Sequence, residues 1–474
     1  MEKYFLTTPI YYVNAKPHVG HMYTAIAADV LARHYRNQGK KVLLSTGVDE
    51  NSQKNVEAAE KQGISPQEYV DQMAPVWKNT FDTINLSYDT FVRTTSPEHR
   101  AAVQSMITKM EEAGDIYLGD YEGYYCVGCE EFIAEKDLVD GKCAIHKTEP
   151  KIIREKNYFF KLTKYKDQLL AWYTENPDAV QPTSARNKML SYITDELHDV
   201  SISRQSQEWG IRFPKDDQHA VYVWFDALIN YLTVTGYPDA GYKAWWPADL
   251  HLIGKDIIKF HCAIWPAMLI SAGLPTPKRV FAHGFFTING EKISKSLGNA
   301  IDPNDLLKEY PLDAIRYYLL REIPFGNDGD FSVDRLKERY NSELANGIGN
   351  LVSRTLAMVE KSWPEADVQA VTSSPWSMEV HAHIEALEFD KALTHIWHKI
   401  GELDSHIDTN KPWALAKEGK QAELQEVLGT VLSGIAEIAD ALRALLPETA
   451  EKIHALLAAK PLAKPSEPLF VRKD

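Results

Sequence analysis

His18-Val19-Gly20-His21 sets two imidazoles three positions apart around a glycine, and Lys292-Ile293-Ser294-Lys295-Ser296 sets two ammonium groups three positions apart with hydroxyls beside them. At helical spacing the two histidines share a face. Gly20 lets a flat base or ribose approach the backbone, and a helix N-terminus favours phosphate. Imidazoles placed there can donate to phosphate oxygens as charge develops. The lysine–serine string suits a pyrophosphate that is gripped and then released. Each string has a plain alternative: satisfied histidines at a helix start, or a solvated basic turn. A metal on the histidines lacks a third and fourth ligand nearby. In this order, each flanked by α/β pattern, the two strings describe a site that holds ATP from both ends.

Other residues extend the set. Asp49 and Glu50 stand just past the strand expected at Val42–Thr46, at the sheet edge where parallel sheets bind ligands; Asp49 could equally cap a helix. Trp224, read as a strand residue, could be core. His261 could be a satisfied core histidine. Cys126, Cys129, Cys143 and His146 form C-x2-C and C-x2-H pairs, a set that can close a tetrahedral shell around one structural Zn2+. The alternative is an unmetallated cysteine cluster. Cys262 is expected to be buried.

The elements that must position these groups follow from pattern. Tyr4–Thr8 reads as a strand and His21–Gln38 as a helix of period 3.6. From Tyr117 to about Phe213, short aromatic-rich segments with no long helix read as an insertion. The α/β pattern returns at Ala220–Asp226 and His251–Asp256. After Lys292 the chain is helical over 334–360, 378–406 and 419–459, punctuated by Gly and Pro. The expected architecture is a Rossmann-like parallel-sheet catalytic domain in two halves (1–115 and 216–290), a connective insertion with a zinc knuckle (116–215), a loop region (291–345) and an α-helical bundle with a tail (346–474).

Composition bounds the rest. The 474 residues are too many for one core. A formal charge of −14 argues against a non-specific nucleic-acid binder but allows a local basic surface. Four cysteines do not suggest a disulfide framework. No run approaches a membrane span of about 20 apolar residues, and the start carries no signal-peptide pattern. Cytoplasm is the expected compartment.

His18–His21 resembles the HIGH box of class I aminoacyl-tRNA synthetases, and Lys292–Ser296 resembles their KMSKS loop, with isoleucine in place of methionine. Thr8–Asn14, Gly47–Glu50, Tyr222–Leu228, Gly254–Asp256 and Lys259–His261 resemble the methionyl branch of that class. The resemblance covers nearly the whole chain. It implies activation of L-methionine with ATP, accompanied by Mg2+, and transfer to tRNA(Met), initiator and elongator. It implies that Ile10, Tyr12, Asp49, Trp224, Tyr231 and His261 meet methionine, with Asp49 on the α-amine. His18, Gly20, His21, Asp256, Lys292 and Lys295 would meet ATP, with His18, His21, Lys292 and Lys295 catalytic. Arg204 would bridge insertion and active site.

Asn350 and Arg354 share a helix face, and Trp413 follows a proline-started turn. An i,i+4 surface pair and a capping tryptophan are the plain reading, and the resemblance makes the three an anticodon-binding set. The span between the two ATP strings leaves little room for the editing domain of branched-chain enzymes, and no cysteine lies near His18 or Asp49 for a cysteine-specific one. An adenylate-forming enzyme without tRNA would lack the helical region; a tRNA-binding protein without catalysis would not need His18, His21, Lys292 and Lys295. A monomer is expected.

Overall fold

In the computed structural model, which describes every residue except 1, 129–130, 134, 136–137, 145–146, 206, 294–299 and 369–373, the strand Lys3–Tyr12 lies at the centre of a six-stranded sheet. Its neighbours are Lys41–Asp49 on one side and Leu250–Gly254 on the other; Thr90–Arg93 extends the first side, and Val280–His283 then Val180–Gln181 the second. Every pairing is parallel. The chain builds outward from the central strand in one direction; on the other side it lays down the outermost strand, Val180–Gln181, before Leu250–Gly254 and Val280–His283. The order therefore reverses between Lys3–Tyr12 and Leu250–Gly254, and the carboxyl ends of those two strands flank the crevice where doubly wound sheets take ligands. The Rossmann-like part of the expected fold is present.

Local chemistry shapes that edge. The register of the central strand against Lys41–Asp49 slips between Thr7 and Ile10, at Pro9, which has no N–H to give a ladder. Such a bulge re-aims the residues beyond it, here Ile10 and Tyr12. Gly47, in the neighbouring strand, is the residue a crowded sheet requires: a Cβ there would stand 2.3 Å from the Val92 carbonyl oxygen.

The chain divides into two units, residues 1–17 with 41–283 and residues 18–40 with 284–474. In the first, one core runs from the sheet into the insertion and joins Phe5, Phe160, Phe225 and Trp265. The insertion is built on a long antiparallel pair, Ile116–Cys126 with Lys151–Phe160. Two helices absent from the sequence reading, Lys166–Glu175 and Thr183–Ser191, follow. The strand Val180–Gln181 between them returns to the main sheet. Ala220–Asp226 also differs from expectation: the strand is Asp216–Val221 and the helix Val223–Leu228 carries Trp224.

The zinc knuckle must be corrected. Among the described residues no group of three or more His, Cys, Asp or Glu could hold a metal ion. Cys126 and Cys143 are buried, while Cys129 and His146 lie outside the described residues. The described part of the insertion is held by its strand ladder and aromatic core. The assignment of one structural Zn2+ falls with the same finding.

The second unit is helical. It holds Val19–Asn37 with Leu312–Arg321, Asn350–Ser362, Pro375–Glu385, Phe389–Asn410, Gln421–Leu445 and Pro447–Ala458. A charged joint ties four of them. Arg316, fully buried, donates to Asp29 Oδ2 at 2.7 Å and to the carbonyls of Ala444 and Leu445 at 3.1 and 3.0 Å, the end of one helix. Asp313 Oδ2, one turn earlier, accepts from the Thr449 N–H at 2.6 Å, the start of the next. The guanidinium satisfies carbonyls, and the carboxylate an N–H, that helix ends leave without intrahelical partners. No helix among the described residues is long and apolar enough to cross a membrane.

Candidate functional site

The helix Val19–Asn37 begins with a cap made of two histidines. His18, the N-cap, takes the Gly20 N–H on its Nδ1 at 3.1 Å, and His21 Nδ1 takes the His18 N–H at 3.1 Å. The rings stack with centroids 3.8 Å apart. This geometry sets the tautomer. A ring nitrogen that accepts from a backbone N–H carries no hydrogen, so in each imidazole the proton is on Nε2. Both rings are thus neutral Nε2–H donors held at a helix N-terminus. Gly20 permits the arrangement, since a Cβ there would stand 3.0 Å from His18 Cε1. The helix start is pinned from downstream, where Val19 N–H donates to Ile301 O at 3.1 Å.

Lys292 ends a short strand, Glu291–Lys292, paired to Phe286–Ile288. Lys295, with the rest of that loop, lies outside the described residues.

In the first unit, Pro9, Ile10, Trp224, Leu228, Tyr231 and His261 line a small, half-open cavity. His261 Nδ1 donates to the Ile257 carbonyl at 2.9 Å, which leaves Nε2 to accept from the Tyr231 hydroxyl at 2.7 Å. Burial pushes the His261 imidazole down to about 4, against the pull of the Ile257 carbonyl, and pushes the Tyr231 phenol up. The polar floor of the cavity is uncharged at neutral pH. Behind it His251 accepts from the Trp265 indole at 3.3 Å and contacts Thr7 Oγ1 at 2.8 Å, and burial lowers its pKa as well. The Trp224 indole N–H is buried and has no hydrogen-bond partner among the described residues. Its ring stacks on Phe260 at 4.3 Å and meets Tyr12 edge-on at 5.9 Å.

Tyr12 and Asp49 do not line the cavity. They are register partners at the carboxyl ends of adjacent strands, and Asp49 is buried. Asp256 is exposed just past the strand Leu250–Gly254. Arg204 is buried over the Tyr222 ring at 4.3 Å and donates to Ser201 Oγ and Ser203 O. Phe260 and His251 fall within strings singled out from the sequence, Lys259–His261 and His251–Asp256, but were given no site role of their own.

In the second unit, Arg354 stands over the Trp413 ring at 5.4 Å and pairs with Asp408 at 2.6 Å. Asn350 is exposed one helical turn before Arg354, and Trp413 is 48% exposed. The structure therefore joins Arg354 and Trp413 on an accessible surface.

A pH dependence follows from the buried imidazole. The unfolded chain protonates His261 near its ordinary value of 6.5 and the folded chain only near 4. Its contribution to stability is fully present above pH 6.5 and is lost as the pH falls from there towards 4. Thermal melts should show the parent chain losing several degrees between pH 7 and 5, and His261→Gln losing fewer. An equal fall in both would remove His261 as a source.

The profile of the family described as "tRNA synthetases class I (M)" matches residues 4–137 and 128–356. A methionine–tRNA ligase of Thermotoga maritima is 45% identical over 469 residues, 95% of this chain and 74% of that one. One of Caldanaerobacter subterraneus is 44% identical over 465 residues, covering 95% and 73%. The Mycobacterium tuberculosis methionyl-tRNA synthetase in complex with methionyl-adenylate superposes with a TM-score of 0.93 at 38% identity, covering all of both chains. The apo form of that enzyme gives 0.86 at 35%, covering 100% and 99%. Because the likeness runs through the helical region as well as the nucleotide-binding sheet, the family is decided: the chain belongs to the class I methionyl-tRNA synthetases.

Proposed function

We propose the following division of labour in a chain that activates L-methionine with ATP and loads it onto tRNA(Met). The methionine carboxylate attacks the α-phosphorus in line and pyrophosphate leaves. The 3′-terminal adenosine hydroxyl of tRNA then attacks the carbonyl of the adenylate and expels AMP. The attacking carboxylate is already ionised, so no protein nucleophile is required, and catalysis is positioning and charge stabilisation. His18 and His21 donate Nε2–H to the phosphates, and Gly20 leaves room for the nucleoside. Lys292 and Lys295 neutralise the departing β,γ-phosphates, and Asp256 serves the ribose. Asp49 takes the α-amine, and Ile10, Tyr12, Trp224, Tyr231 and His261 take the side chain. Asn350, Arg354 and Trp413 read the anticodon. The chain works as a cytoplasmic monomer.

The observation that carries the methionine assignment is the neutral cavity floor. A thioether is apolar and polarizable and gains about 0.3–1.5 kcal/mol against aromatic rings, whereas a charged wall would require its own partner. Labelled pyrophosphate should exchange into ATP when methionine is present and not with the other nineteen amino acids. Exchange supported by leucine or cysteine but not methionine would overturn the assignment. Trp413→Ala should keep exchange while aminoacylation falls, because a lost stacking platform costs about 1–3 kcal/mol per base. Matched losses in both reactions, with a lowered melting temperature, would return Trp413 to a packing role.

A further inference from the structure

The scheme above leaves a fully buried acid–imidazole contact unused. His99 Nε2 stands 3.0 Å from Asp226 Oδ1, and both side chains are entirely buried. The Thr233 hydroxyl donates to the Ile229 carbonyl at 3.1 Å and so presents a lone pair to His99 Nδ1 at 2.9 Å, which therefore bears a hydrogen. A bare Nε2 facing a carboxylate would set lone pair against lone pair. One proton thus lies between His99 and Asp226, and whichever side holds it the pair has no net charge. Burial, the largest influence, pushes the Asp226 carboxyl up, and the His99 contact opposes it.

The other carboxylate oxygen reaches the opposite side of the site. Asn51 Nδ2 donates to Asp226 Oδ2 at 2.9 Å, and the Asn51 backbone N–H donates to Asp49 Oδ1 at 3.3 Å. Asn55 Nδ2 holds the Asp49 carbonyl at 3.0 Å. Asp226 itself lies on the helix Val223–Leu228, whose Trp224, Ala227 and Leu228 wall the cavity. A continuous buried chain therefore runs from the Asp49 carboxylate to the aromatic wall.

We propose that Asn51, Asp226 and His99 are positioning residues for methionine, forming a bridge that sets the distance between the amine-binding carboxylate and the side-chain cavity. The inference rests on the assignment of Asp49 to the α-amine. An amino acid gripped at both ends is selected by length, and a shift of about 1 Å in such a site can cost as much as 10²-fold. The bridge acts on which amino acid fits; the phosphate groups are served by other residues.

Asp226→Ala is expected to raise the methionine KM in pyrophosphate exchange at least tenfold, with the ATP KM and kcat within about twofold of the parent. Its preference for methionine over ethionine, one carbon longer, should shrink. Asp226→Asn should rescue both, because its amide can donate to a neutral His99 Nε2 while its oxygen accepts from Asn51. A role in folding alone predicts a lowered melting temperature, parallel loss in both KM values and an unchanged methionine–ethionine ratio, and would overturn the proposal. If Asp226→Ala does not fold, Asn51→Ala decides: it removes the amide bond to Asp226 and so breaks the bridge, while the backbone N–H to Asp49 and the His99–Asp226 pair stay in place. An unaltered methionine KM in Asn51→Ala overturns the bridge. Asp49→Asn is measured alongside. An unaltered methionine KM there overturns the assignment of Asp49; a raised one, beside unaltered values in Asn51→Ala and Asp226→Ala, overturns the bridge alone.

Discussion

Methionine-dependent pyrophosphate exchange by His21→Ala is expected to fall by about 10²–10³-fold, the loss seen when one fixed donor to a developing oxyanion is removed. The reasoning runs through the cap. His21 Nδ1 is occupied by the His18 N–H, so the ring orientation is set before substrate arrives and the ring's hydrogen is carried on Nε2, the donor assigned to phosphate. A pre-oriented donor spends nothing on reorientation in the transition state. Alanine also deletes half of the reciprocal cap, and losing a capping side chain costs about 0.5–2 kcal/mol. The two effects separate cleanly. The cap loss lowers the melting temperature by a few degrees and leaves methionine affinity alone, while the donor loss appears in kcat. A fall in exchange of less than about fivefold, or one that tracks the melting temperature, would take His21 out of the chemistry.

The largest effect on stability is expected at Arg316. Replacing it with leucine should cost about 3–5 kcal/mol, the range for removing one member of a buried ion pair. Asp29 would keep Arg33, which contacts the same Oδ2 at 2.8 Å and is partly exposed. The carbonyls of Ala444 and Leu445 would lose their donors as well. Arg316→Lys should recover little, because a single ammonium cannot reach three acceptors in fork geometry. The paired replacement Asp29→Leu with Arg316→Leu should recover most of the loss, since no buried charge is then stranded. Thermal melts of the three variants check this. A loss below about 1 kcal/mol in Arg316→Leu would show that solvent reaches the joint.

Much of the site was readable because its chemistry is local. His18 and His21 are one helical turn apart, and the residues before them already signal a strand, so tautomer and cap follow from a short stretch of chain. Asp49, read as lying just past a strand that stops at Thr46, is instead the last residue of the longer strand Lys41–Asp49. Trp224 was misplaced onto a strand: Val221 to Phe225 is uniformly apolar, and a short buried run does not distinguish strand from helix. Cys126, Cys129, Cys143 and His146 matched a ligand spacing, but spacing records only neighbours along the chain, and the described structure does not gather a metal set. His99 and Asp226 were invisible for the converse reason. Their contact joins positions 127 apart, and nothing near His99 marks it as other than a helix-start histidine. The bulge at Pro9 could be suspected from the proline, but its use, turning Ile10 and Tyr12, depends on the register of the neighbouring strand.

The joint at Arg316 also governs how the chain is made. Asp29 leaves the ribosome 287 residues before the arginine that neutralises it. At about 5–20 residues per second, roughly 15–60 s pass between the two. The strands on either side, Lys3–Tyr12 and Lys41–Asp49, can pair with each other during that interval, but the helix between them belongs to the unit completed last. Met22, Ile26 and Val30, buried in the finished protein, wait uncovered on a nascent chain. The histidine-capped helix is thus the first long helix synthesised and among the last to be sheltered, which makes it the natural place for a chaperone to hold this chain and for aggregation to begin when synthesis stalls.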